Sequence, residues 1–371
     1  MRQEEACVLH VAAVQDPNAL RALSRTTQVI AAMGVGQVLL ALDQGPAMDG
    51  TWAAALAVEV RPLRCAGLSL ARRIRVLQAE LSRLLRERTP CAVHLHGIVP
   101  FLVGPRALKG AAMHGRVLCS PNRMHFGPPW AAGLLGRLVQ SQLARFDYAP
   151  IAASVMEAQV LSKLLNRAAE VLPPPVSEPF FAVARHESAQ PSILAEGAGD
   201  EAVDVVTRLC VLLNGRHPRV QILWLGATGP RAAAQLAAAT VALPDALDEA
   251  RRAHALAHAW LYLEMSARDA PALGVAQAMA AGVPCLVSDV PGHRALIHHG
   301  ETGFVCTSER DLVEKVVFLL RNRAERRRIG EAARAEAGRR FTERDYQRAL
   351  LRAYGFASDT RRPEVRVLVA N

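Results

Sequence analysis

The stretch Ala278-Met279-Ala280-Ala281-Gly282-Val283-Pro284-Cys285-Leu286-Val287-Ser288-Asp289 decides the fold of this chain. An apolar helical run stops at Gly282, and Pro284 cannot continue it. The residues from Cys285 onward then read as a buried strand. Helix, tight stop and buried strand in succession is the repeating pattern of a parallel α/β sheet.

The same pattern extends in both directions. Downstream lies GFVC (from Gly303), after which the chain is helical from Asp311 through Tyr354 and ends in a loose tail, DTRRPEVRVLVAN. Upstream in the second half are SILAE (from Ser192), QILWLG (from Gln221) and AWLYLEM (from Ala259). The first half offers CVLHVAAV (from Cys7), QVLLALD (from Gln37), CAVHL (from Cys91), RVLC (from Arg116) and YAPIAA (from Tyr148). Between the second and third of these, Leu70, Ile74, Leu77, Leu81 and Leu84 step by four and three and make one apolar helical stripe. Arginines fill its other faces, as a solvated helix or a contact with an anionic lipid surface would require. Leu172-Pro173-Pro174-Pro175 cannot continue a helix and separates the halves. The expected organisation is an α/β domain over residues 1–174, a second over 175–340, and a closing helix and tail over 341–371.

Composition excludes other classes. With 371 residues, 51% of them hydrophobic and 21% charged, the chain is too apolar for disorder and long enough for two cores. No uncharged apolar run approaches the ~20 residues of a membrane span. The opening MRQEEACVLHVAAV reads as a first strand rather than a signal peptide. Seven scattered cysteines without a CxxC pair suit a reducing, cytoplasmic setting. The net charge of +10 is concentrated in the first 176 residues, which hold 19 basic and 11 acidic side chains against 25 and 23 in the remainder. Such asymmetry suits an anionic membrane surface, a phosphorylated substrate or nucleic acid. Nucleic acid is not expected, because aromatics are only 5% and no binding motif is present.

The helix-stop-strand block, continued by Gly300-Glu301-Thr302-Gly303-Phe304-Val305, resembles retaining glycosyltransferases of family 4. The resemblance extends through His94-Leu95-His96-Gly97 with Ser120-Pro121, Val171-Leu172-Pro173 with Phe180-Phe181, and Gly226 and Gly229 in LGATGP. It ends with Phe341-Thr342, Leu350-Leu351 and Tyr354. It implies the GT-B fold, two Rossmann-like parallel-sheet domains facing across a cleft, with acceptor in the first and nucleotide-sugar donor in the second. It also implies transfer with retention and no metal, the donor phosphates lying at a helix N-terminus near Leu273 and Gly274. A UDP- or GDP-type donor, a lipid-linked or cell-envelope glycan acceptor, and a cytoplasmic protein peripheral on the inner membrane face follow by the same likeness.

The family's functional positions carry over unevenly. His96 matches a histidine near the reacting sugar, and a satisfied structural histidine is the other reading. His94 and His96 share a strand face, but no third metal ligand at suitable spacing is apparent, so no metal is expected. Asp269 and Gln277 stand at the two carboxylate positions of E-x7-E; Asp269 also reads as a helix cap and Gln277 as a helix-surface residue. The family's arginine and lysine, which neutralise the leaving diphosphate, are replaced by Glu196 and Glu201. Arg268, Arg294 or Arg231 would have to supply the missing charge. Gln15-Asp16-Pro17-Asn18 replaces a glycine pair, Ala270-Pro271-Ala272 a glycine-rich turn, and Ala295 a glutamate. Two readings stay open: a divergent transferase, and a non-catalytic relative serving as subunit or scaffold in glycan assembly.

Overall fold

The computed structural model describes residues 7–13, 17–43, 56, 58–65, 67–108, 115–121, 143, 146–215, 217, 219–226, 228–244, 247–266 and 272–356. Chain contacts divide it into two compact units, residues 1–120, 147–149 and 347–371, and residues 121–146 and 150–346. The residues after Phe356, Gln15-Asp16 and Ala270-Pro271 lie outside the described residues.

Strands and helices alternate as the apolar runs demand. In chain order come β1 (Cys7–Ala13), α1 (Pro17–Ala31), β2 (Gly36–Asp43), β3 (Glu59–Arg64), α2 (Leu70–Glu87) and β4 (Ala92–His96). Next are α3 (Ile98–Leu108), β5 (Arg116–Ser120), β6 (Tyr148–Ala152), α4 (Val155–Leu165), β7 (Glu170–Val171) and α5 (Glu178–Ala182). The later portion holds β8 (Ser192–Ala198), α6 (Asp200–Asn214), β9 (Gln221–Trp224), α7 (Pro230–Ala238), α8 (Glu249–His258), β10 (Leu261–Ser266) and α9 (Leu273–Ala280). It closes with β11 (Cys285–Ser288), α10 (Pro291–Leu296), β12 (Gly303–Cys306), α11 (Glu309–Arg321), α12 (Arg323–Arg340) and α13 (Glu343–Tyr354).

The strands form a seven-stranded sheet ordered β3-β2-β1-β4-β5-β6-β7 and a five-stranded sheet ordered β12-β11-β10-β8-β9. Their pairings are parallel. Both are doubly wound, and the winding reverses between β1 and β4 in one and between β8 and β10 in the other. Such switch points are where open α/β sheets bind ligands, beyond the carboxyl ends of the strands.

Two strands escape the sequence reading. The first is β3, EVRPLR, an edge strand that carries Pro62 and stays half exposed, so it has neither an apolar run nor a clean alternation. The second is β7, only two residues long. The stripe on α2 holds: Leu77, Leu81 and Leu84 are fully buried, while Arg72, Arg75 and Arg86 are exposed.

The deciding stretch folds as read. Gly282 follows α9 at φ +76°, the left-handed geometry that favours glycine. Its carbonyl lies against Gly330 of α12, where a Cβ would overlap that oxygen, so two helices meet through two glycines. Arg326 of α12 is buried. It stacks 3.8 Å from the Trp260 ring, bonds both oxygens of Glu187 at 2.9 Å, and donates to the last carbonyls of α11. All seven cysteines are free. Among the described residues no helix is long and apolar enough to cross a membrane.

Candidate functional site

The second sheet gathers charge at its switch point. Glu196 on β8 and Glu264 on β10 are register partners, so their carboxylates leave neighbouring strands on one face. Like charges so placed repel. Tyr262, two residues before Glu264, shares that face and lies between them. Its hydroxyl is 2.6 Å from Glu196 Oε2 and 2.9 Å from Glu264 Oε2, and its single proton serves one carboxylate at a time. Burial, reinforced by the two carboxylates, drives the Tyr262 pKa well above its ordinary value, which keeps the phenol a donor.

Arg252 of α8 completes the arrangement. Its two terminal nitrogens donate to the two oxygens of Glu196 at 3.1 and 2.5 Å, a two-pronged ion pair, and its Nε donates to Gln277 Oε1 at 2.8 Å. Burial works against the guanidinium charge, but Glu196 outweighs it and raises the Arg252 pKa above the usual value. On the other flank His293 of α10, buried, has Nδ1 2.9 Å from the Ser288 carbonyl oxygen. That oxygen can only accept, so Nδ1 carries the hydrogen and Nε2 faces Glu264 Oε1 at 3.7 Å.

The carboxylates press on the first turn of α9. At Gly274 a Cβ would overlap the Tyr262 hydroxyl and stand 2.7 and 2.9 Å from Glu196 Oε2 and Glu264 Oε2. Unpaired N–H groups and the helix dipole favour negative charge at that position. The two side-chain carboxylates therefore stand beside the first turn of the helix expected to receive the donor phosphates.

Several expected site residues thus come together: Glu196, Gln277 and Gly274, with Leu273 opening the same helix turn. Gln277 is no helix-surface residue; it is buried and holds the Arg252 guanidinium. Glu201 is exposed in the first turn of α6. Gly226 follows β9 and packs where a Cβ would lie 2.9–3.0 Å from the Trp224 indole, whereas Gly229 opens α7 with no atom near the place of a Cβ. Arg294 is exposed and pairs both terminal oxygens of Asp289. The pair borders an open groove of about 570 Å³ with His299, Thr307, Asp311 and Lys315. Arg231 is exposed at the start of α7. Arg268 and Asp269 lie outside the described residues. His96 ends β4 in the first unit, buried and 3.1 Å from His10.

The expected replacement cations are Arg268, Arg294 and Arg231. The arginine that meets Glu196 is Arg252, on a helix whose pattern is ordinarily amphipathic and gives no warning. Tyr262 and Glu264 did leave a signal: two polar residues at alternate positions inside the otherwise apolar strand AWLYLEM.

Comparison with known proteins bears on this unit directly. Residues 231–336 match the family model described as "Glycosyl transferases group 1". The N-acetyl-alpha-D-glucosaminyl L-malate synthase of Bacillus anthracis is 33% identical over 91 residues, 24% of this chain and 24% of that protein. Among solved structures, a glycosyltransferase from Rickettsia africae superposes with TM-score 0.72 at 13% identity, over 94% of this chain and 98% of that one. HepE of Anabaena, solved with UDP-glucose, does so with TM-score 0.69 at 15% identity, over 94% and 99%. The chain therefore has the GT-B fold, and the match to the group 1 glycosyl transferase pattern spans α8, β10, α9 and α10 of its second unit but not β8, which carries Glu196.

Proposed function

We propose that the protein is a glycosyltransferase that takes a sugar from a nucleotide-sugar donor of the UDP or GDP type. The donor would sit beyond the carboxyl ends of β8 and β10, at the first turn of α9. The observation that carries the reading is that the segment matching the family model supplies Arg252, Glu264, Gly274, Gln277 and His293 to one cluster. A diphosphate leaves with growing negative charge, and preorganised cations and helix N–H groups lower the barrier to its departure. Arg252, held by Gln277, is the fixed cation of this cluster, so the chemistry as proposed draws on no metal. Retention, His96 and Asp269 as residues beside the reacting sugar, and a lipid-linked or cell-envelope glycan acceptor rest on the family resemblance. The basic character of the first half supports association with an anionic, inner-face membrane surface.

A second reading has its own observation. Glu196 and Glu264 already stand at the first turn of α9, and two carboxylates beside a diphosphate are unfavourable. A non-catalytic relative acting as subunit or scaffold would be built this way. Calorimetry with UDP, GDP and their sugars, without added metal, separates the two. Saturable micromolar binding of one nucleotide, weakened at least ~10-fold in Arg252→Met, is expected of the transferase. No binding across the panel by folded protein sinks that reading in favour of the scaffold.

A further inference from the structure

Three histidines converge in the first unit, at the strands where its sheet reverses winding. His10 on β1 is the register partner of His94 on β4, and His96 follows two residues on, facing the same side. Their ligating nitrogens all lie within 4.8 Å of one another. His10 Nδ1 and His96 Nε2 are 3.1 Å apart. A tetrahedral ion bound at roughly 2.0–2.1 Å would set two such nitrogens about 3.3 Å apart.

The surroundings fix which nitrogen is available. Gln37 Nε2 donates to the Thr27 carbonyl at 2.8 Å, which turns Gln37 Oε1 toward His10 Nε2 at 3.0 Å. An amide oxygen only accepts, so His10 Nε2 carries the hydrogen and Nδ1 presents its lone pair to the cluster. An outer nitrogen donating to an anchored carbonyl, with the inner nitrogen bare, is how metal-binding histidines are oriented. His94 is braced on both nitrogens by hydroxyls, Tyr354 at 2.5 Å and Ser120 at 2.8 Å. With Nδ1 donating to the Tyr354 oxygen, Nε2 is the nitrogen left to ligate, and Ser120 Oγ has to swing away from it by χ1 rotation to admit an ion. All three rings are buried.

We propose that His10, His94 and His96 form a three-histidine site for a late first-row transition-metal cation of the Zn²⁺ class. A set of imidazoles without a carboxylate disfavours Mg²⁺ and Ca²⁺, which take oxygen. The site ties β1 to β4 and is independent of the donor site at β8 and β10, but it takes His96 as a ligand in place of a role beside the reacting sugar.

The test uses the full chain after chelator treatment, titrated with Zn²⁺ by calorimetry and with Co²⁺ by visible absorption. One equivalent is expected to bind with submicromolar affinity and raise the thermal midpoint, with X-ray absorption of the Zn²⁺ complex showing imidazole scattering. His10→Ala and His96→Ala are expected to weaken binding at least ~100-fold, and Gln37→Leu by roughly 10–100-fold through the lost anchor. His258→Ala, in the stacked His254–His258 pair of α8, leaves it unchanged. Folded wild-type protein that takes up no ion at about 100 μM overturns the proposal. So does uptake indifferent to His10→Ala, or a sulfur-dominated metal shell. Should the histidine variants not fold, the X-ray absorption of the wild-type complex decides alone.

Discussion

The two sheets place polar side chains at the same topological position and solve the resulting problem in opposite ways. At the β1–β4 switch point the groups are imidazoles, held neutral by burial and oriented by an amide and two hydroxyls. At the β8–β10 switch point they are two facing carboxylates, made tolerable by a guanidinium, a phenol and a helix N-terminus. A neutral cluster can lose one member and leave hydrogen-bonding groups behind; an ion pair that loses one member leaves a charge in a poorly hydrated place. The first should therefore yield to substitution gradually and the second abruptly.

Arg252→Met is expected to have the largest effect. Breaking a buried pair costs about 3–5 kcal/mol, and because Arg252 and Glu196 keep 16% and 22% of their side-chain surface exposed, about 2–3 kcal/mol is expected. Glu196→Gln combined with Arg252→Met removes both charges and should recover most of it. Denaturant unfolding, with exchange protection of β10 as a local probe, would show this; a double variant no better than the single one would mean that packing, not charge, dominates.

Gly274→Ala comes next, at about 1–3 kcal/mol, because the added methyl meets the Tyr262 hydroxyl and both carboxylates on a face that has no slack. It also bears on function. If the first turn of α9 holds a diphosphate, the same methyl should weaken nucleotide binding; unchanged binding would place the nucleotide elsewhere.

The contrast between the clusters also explains what was legible in the sequence. Strand–helix alternation and the Gly282–Pro284 stop were readable, because each rests on residues close together in the chain. His94 and His96 were visible as a pair for the same reason. His10 was not singled out: it is a lone histidine inside CVLHVAAV, and nothing local says that β1 lies beside β4. Likewise Glu196 looked like a lost arginine, since its partner arrives from α8 through the order β10-β8-β9 rather than from a neighbouring position. Residue types were readable; partners that depend on strand order were not.

Tyr262→Phe should cost about 1–2 kcal/mol, the typical effect of deleting one bond to a charged acceptor. It leaves Glu196 and Glu264 facing each other without a bridge. Its counterpart at the other switch point, Tyr354→Phe, removes a hydroxyl from His94, a neutral ring still held by Ser120, and should cost about 1 kcal/mol or less. Equal losses at the two tyrosines would refute the distinction between charged and neutral clusters.

The smallest effect is expected at Arg294, which lies off both switch points. The residue is exposed and its pair with Asp289 is open to solvent and salt, so Arg294→Ala should leave stability unchanged within error. That makes it the cleanest probe of function. With the fold intact, any loss of nucleotide affinity in Arg294→Ala would come from charge lining the groove beside Asp311 and Lys315. The loss should then shrink as ionic strength rises, as long-range attraction of an anion does. Affinity that falls in Arg252→Met but not in Arg294→Ala would confine the donor to the β8–β10 switch point. The reverse pattern would move it to the groove and leave the carboxylate cluster a structural device.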